Sequence, residues 1–107
     1  MAMDHFIVTP GTTGTTIRAM ISSTIQVSNC RQVFIQAARG NSGIILGGGS
    51  RSVLSTTNYG FEIPIPVTTI PAAPFPIEAS NAIVSLADIK LLCANTTDKA
   101  TITVVTA

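Results

Sequence analysis

Five prolines stand between positions 64 and 76, in the stretch "EIPIPVTTIPAAPFPI". Each lacks a backbone N–H and fixes φ, so no helix can run through this region and no central strand can use it. What remains is extended or polyproline-like chain on the surface. "PFPIEAS" still reads as a strand, but Pro74 and Pro76 confine it to a sheet edge or a strand start. An irregular insert of this kind, about 63–76, is usually functional or interface-bearing in so small a domain.

The flanking segments read as strands. "RQVFIQAA" alternates Val33, Ile35 and Ala37 with Phe34, Gln36 and Ala38. "GIILG" is a short apolar run bounded by glycines, and "ATITVVT" is β-branched almost throughout. "IKLLCA" precedes that last strand across the turn-rich "NTTDK", which predicts a hairpin pairing 89–94 with 100–106. Thr and Ile density favours strands in "TTIRAMISSTIQVS", and "SLADIK" suits one helical turn capped by Ser85. No window of 11 or more residues carries a helical stripe. The predicted fold is therefore all-β: an antiparallel sandwich of jelly-roll type, or a small barrel. Inward-facing candidates are Val33, Ile35, Ile44, Leu46, Ile89, Leu91, Ile102 and Val104. Residues 1–16, with "TPGTTGTT", read as an extended N-terminal arm, leaving 17–107 as the β domain.

A chain of 107 residues makes one domain. Only 10% of its residues are charged, against about 25% in typical soluble domains. The net charge of +1 gives no electrostatic case for nucleic acid or an anionic membrane. With 46% hydrophobic residues, such a surface suits a protein that spends its life against other protein. The alternative is a small β domain with a Thr-rich face. No apolar run approaches the roughly 20 residues of a membrane span. "MAMDHFIVTPG" lacks the marks of a signal peptide, so synthesis in a cytoplasm is expected, with Cys30 and Cys93 as reduced, buried thiols.

Little in the sequence carries chemistry. "ARGNSGIILGGGSRS" is dense in glycine but has no lysine of a phosphate loop and no following helix. Its glycines are expected to turn the chain: 39–43 joins two strands, and Gly47, Gly48 and Gly49 end the second. Asp4, Glu62, Glu78, Asp88 and Asp98 are scattered, with no close pair for acid–base work. Asp98 beside Lys99 reads as a solvated turn. His5 is the only histidine and the two cysteines lie far apart, so no metal site is expected. "NTT" at Asn95 matches a glycosylation sequon, but has no meaning without a secretory route. Tyr59 and Phe61 read as core or interface packing, and the four arginines do not cluster. No catalytic residue, cofactor or small-molecule substrate follows, and the expectation is a protein that is not an enzyme.

The order of segments has a likeness. "CRQVFIQAARGNSGIILGGGS", followed by "PFPIEASNAIVSLADIKLLCANTTDKATITVVT", resembles small accessory structural proteins of tailed-bacteriophage virions. The resemblance covers about 29–106. It implies a β-sandwich module on the capsid exterior, made in the bacterial cytoplasm and acting as a cement or decoration protein. Head-fibre bases, neck and tail components belong to the same group. The implied partner is the major capsid protein, and the implied assembly a homotrimer at a three-fold junction. On this reading Phe6, Ile7 and Val8 anchor the arm, and Ile63, Ile65 and Phe75 anchor the Pro-rich loop. A ligand-binding β domain is the rival, weakened by the absence of Trp and the single Tyr.

Overall fold

A computed structural model describes residues 2–22, 29–66, 72–78 and 82–106. The chain is an all-β sandwich of two antiparallel four-stranded sheets. In the first sheet, β1 (Ala2–Val8), β8 (Ala100–Thr106), β3 (Cys30–Ala37) and β6 (Phe75–Glu78) lie side by side in that order. In the second the order is β2 (Thr15–Thr16), β7 (Ile89–Cys93), β4 (Ile45–Gly49) and β5 (Phe61–Ile63). A helical turn, α1 (Ile17–Met20), is capped by the Thr16 hydroxyl, which accepts the Ala19 N–H. A single 3₁₀ turn at Leu86–Asp88 is capped by Ser85 as the sequence predicts.

Alternation builds the core. In β3 and β8 the pairs Val33↔Val104, Ile35↔Ile102 and Ala37↔Ala100 all point inward. From the second sheet Ile45, Ile63 and Leu91 meet them, each fully buried. A register shift between Cys30 and Gln32 changes the phase of β3, so Cys30 also faces in, although its number is even. β6 is an edge strand that carries Pro76, as its prolines require.

Three sequence expectations are corrected. First, 89–94 and 100–106 do not form a hairpin: β7 lies in the second sheet and β8 in the first. The connection is an arch that crosses the sandwich, and β3–β4 makes another. Both strands of each pair bury their inner side chains against the other sheet, where a hairpin would put them in one layer. Second, the phase of β4 is displaced by one residue. Ile45 faces the core, Ile44 is 40% exposed, and Leu46 packs outside the second sheet with Leu54 and Leu92. Gly47, Gly48 and Gly49 belong to this strand, paired with Leu91, Lys90 and Ile89.

Third, residues 2–8 are a strand and not a free arm. β1 pairs with β8 along its whole length, from Ala2↔Thr106 to Val8↔Ala100. Without it, β8 would leave a row of backbone groups unpaired beside the core. The chain beyond is held too, since the Gly11 carbonyl accepts the Cys93 N–H at 2.7 Å. Strands expected in "TTIRAMISSTIQVS" appear only at Thr15–Thr16, before α1. The rest of that expectation, at 23–28, lies outside the described residues, as do 67–71 of the Pro-rich insert and 79–81 of the "PIEASN" segment.

Candidate interaction surface

The most elaborate polar arrangement joins the two arches. Asp98 is 2% exposed. Its Oδ1 accepts the Ser42 N–H at 3.1 Å, and its Oδ2 accepts the Gly43 N–H at 3.1 Å and the Asn95 side-chain amide at 3.3 Å. Asn95 also donates to the Ser42 hydroxyl at 2.8 Å. Beside them Asn41 acts in both directions, donating to the Lys99 carbonyl at 2.7 Å and accepting the Lys99 N–H at 2.9 Å. Burial alone would push the Asp98 carboxyl up, but the bonds from Ser42, Asn95 and Gly43 outweigh it and hold the group below its ordinary value. The carboxylate has its acceptor positions filled by the fold, which makes it a clasp between arches and leaves it no role as a general base. Gly43 is needed here for close approach: a Cβ would lie 2.9 Å from that of Ala94.

A second arrangement closes the side of the sandwich where β5 and β6 face each other. Phe61 on β5 stacks on Phe75 on β6 with ring centroids 4.3 Å apart and planes within 7°. The Phe61 ring occupies the space a side chain at Gly47 would need, so this glycine makes a seat for the aromatic. Gln36 donates to the Ala72 carbonyl and ties the end of the Pro-rich insert to β3.

The two thiols are buried, free and chemically quiet. Burial raises both, and Cys93 is pushed up to about 11 by its burial and by the nearby Asp98 charge. Among the described residues no group of three or more His, Cys, Asp or Glu side chains is placed to hold a metal ion. No helix among them is long and apolar enough to cross a membrane.

The surface is apolar in particular places. Over the outer face of the second sheet, Leu46, Leu54 and Leu92 form a small cluster. Ile44, Tyr59, Leu46 and Leu92 line a shallow cleft of about 260 Å³ there. Tyr59 continues to a smaller cup of about 150 Å³ with Val53 and Leu54, in which Val53 is 79% exposed. The Tyr59 hydroxyl donates to Glu62 at 2.8 Å, and that bond with the Glu62 charge holds the phenol above its ordinary value. Elsewhere Met3 and Ile7 stand out from β1.

The six anchors expected from sequence divide accordingly. Val8 and Ile63 are buried core residues, Phe6 packs against the core, and Phe75 is engaged by Phe61. Ile7 and Ile65 remain exposed and do not share a strand. Sequence reasoning passed over Ile44 and Val53 as surface residues and Asp98 as a buried one, while Tyr59, read as core or interface packing, is 44% exposed. For Asp98 the available signal was its place in "NTTD", where Asn and Asp three apart can bond one another.

Comparisons with protein-family models, curated proteins and solved structures find no match for this chain.

Proposed function

We propose that the protein is a non-enzymatic structural component of a tailed-phage virion, a cement protein that binds major capsid subunits from outside the shell. The observation that carries this reading is the apolar outer face of the second sheet, with Ile44, Val53 and Tyr59 exposed around Leu46, Leu54 and Leu92. A chain with 10% charged residues offers this surface little electrostatic competition, so burial against another protein is its favourable use. The segment order that resembles phage accessory proteins supports the same assignment. The polar groups of the arches are consumed in holding the fold, which suits a rigid module.

The mechanism is geometric. The sandwich lays this face across neighbouring capsid subunits, each copy held by the shell. Many copies on one lattice need only modest contacts apiece. The test uses particles lacking the protein, heated with and without added protein while genome release is followed. Added wild type is expected to raise the release temperature, and Tyr59→Asp to do so less while folding normally. Protein-free particles that resist heat as well as complete ones would refute the cementing role.

A further inference from the structure

Among the described residues four strands border the two sheets, and three are poorly made to recruit another strand. β2 has two residues and β5 has three. β6 carries Pro76, which removes a backbone donor. β1 differs in each respect. It spans seven residues, holds no proline or lysine, and runs against β8 without a register shift. Shortness, prolines, bulges and lysines are among the usual means of blunting an edge, and β1 has none of these four; its one charged residue is Asp4, on the face of Phe6 and Val8.

We propose that β1 is a dimer interface, at which the β1 edges of two copies pair antiparallel across a two-fold axis. The two first sheets, each of four strands, then become one continuous sheet.

The occupant is a second copy because the strand complements itself. A two-fold axis perpendicular to the sheet keeps each side chain on its own face, so paired residue numbers sum to an even value. Phe6 and Val8 pack toward the core, which leaves Met3, His5 and Ile7 on the outer face. Full overlap of Ala2–Val8 sets His5 opposite the partner's His5 and Met3 opposite the partner's Ile7, twice over. Met3 and Ile7 are 66% and 68% exposed in the single chain, so this register covers two of its most exposed apolar side chains.

Charge selects the same register. It places Asp4 opposite the partner's Phe6. A slip by one pair toward the N-terminus would set Asp4 directly against the partner's Asp4, an opposition of like charges that costs stability. A slip the other way leaves Ala2 and Met3 without partners in the strand. A ring of strands would need a second long edge of a different kind, and the other described edges are two or three residues long or carry a proline.

This goes beyond the virion reading and is tested on the free, full chain. Sedimentation equilibrium from micromolar to millimolar concentration is expected to give twice the 11.1 kDa chain mass. His5→Lys and His5→Glu each place like charges face to face at the axis, and each should weaken the dimer at least about tenfold. An equimolar mixture of the two variants should restore it, because Lys then meets Glu. That recovery also shows that both variants fold. Met3→Glu, which leaves His5 in place, should weaken the dimer as well. A wild type that stays monomeric, a trimer, a dimer indifferent to both His5 variants, or a mixture that fails to recover would each overturn the proposal.

Discussion

Asp98 Oδ1 lies 3.1 Å from the amide nitrogen of Ser42, a residue 56 positions earlier, and this bond joins the two arches of the sandwich. Removing the carboxylate leaves the Ser42 and Gly43 N–H groups without their acceptor. Asp98→Ala should cost about 2–3 kcal/mol in urea unfolding at neutral pH.

The same group sets a pH dependence. Its carboxyl is held below the ordinary 3.8 in the folded chain. Its contribution is therefore complete above the unfolded value and is lost as pH falls through the folded one. Asp98→Asn should be less stable than wild type at neutral pH, and the gap should close in acid below about pH 3.8. A gap that stays constant into acid would show that the carboxylate does not act through its charge.

The seat between Gly47 and Phe61 calls for a double-mutant cycle. Gly47→Ala puts a methyl group into the ring, and Phe61→Ala removes the ring and its stack on Phe75. Each should destabilise, Phe61→Ala by about 3 kcal/mol. Together they should cost clearly less than their sum, because the added methyl then enters vacated space. Additive losses would mean that the two residues do not share that space.

The phase of β4 can be read with two aspartates. Ile45→Asp should abolish cooperative unfolding, since it buries a charge among Ile63, Leu91 and Ile102. Ile44→Asp should fold with a stability close to wild type, because that side chain is 40% exposed. The reverse outcome would restore the phase expected from sequence.

How far the sequence can be read is visible in these elements. The all-β class, the inward faces of β3 and β8, the proline-bearing edge β6 and the Ser85 cap follow from alternation, β-branching and proline chemistry. Alternation reports which side of a strand is buried, but not which strand lies beside it. An arch and a hairpin therefore look alike, and "NTTDK" suits either. In "IIL" every residue is apolar, and Leu46 is covered on the outside by Leu54 and Leu92, so no period marks which side chain faces in. Asp98 looked solvated because its acceptors are met by backbone distant in sequence. The surface that supports the functional reading was the least legible part, since Ile44, Val53 and Tyr59 become neighbours only once β4, the loop after it and β5 are in place.

Residues 2–8 test the architecture. As a strand, β1 contributes Val8 to the core and packs Phe6 against it, and it covers the edge of β8. Deleting residues 2–9 should lower stability by at least about 3 kcal/mol, and melting should show it. A deletion that melts like wild type would return the segment to the status of a free arm.

The central claim is a place on the outside of a phage head. Cryo-electron microscopy of purified virions made with the gene for this chain, compared with virions made without it, tests it directly. Density for the sandwich is expected in a symmetric array on the shell exterior, absent from virions made without the gene, with Ile44, Val53 and Tyr59 turned toward major capsid subunits. Purified particles that lack the chain, or carry it only at the neck or tail, would contradict the claim.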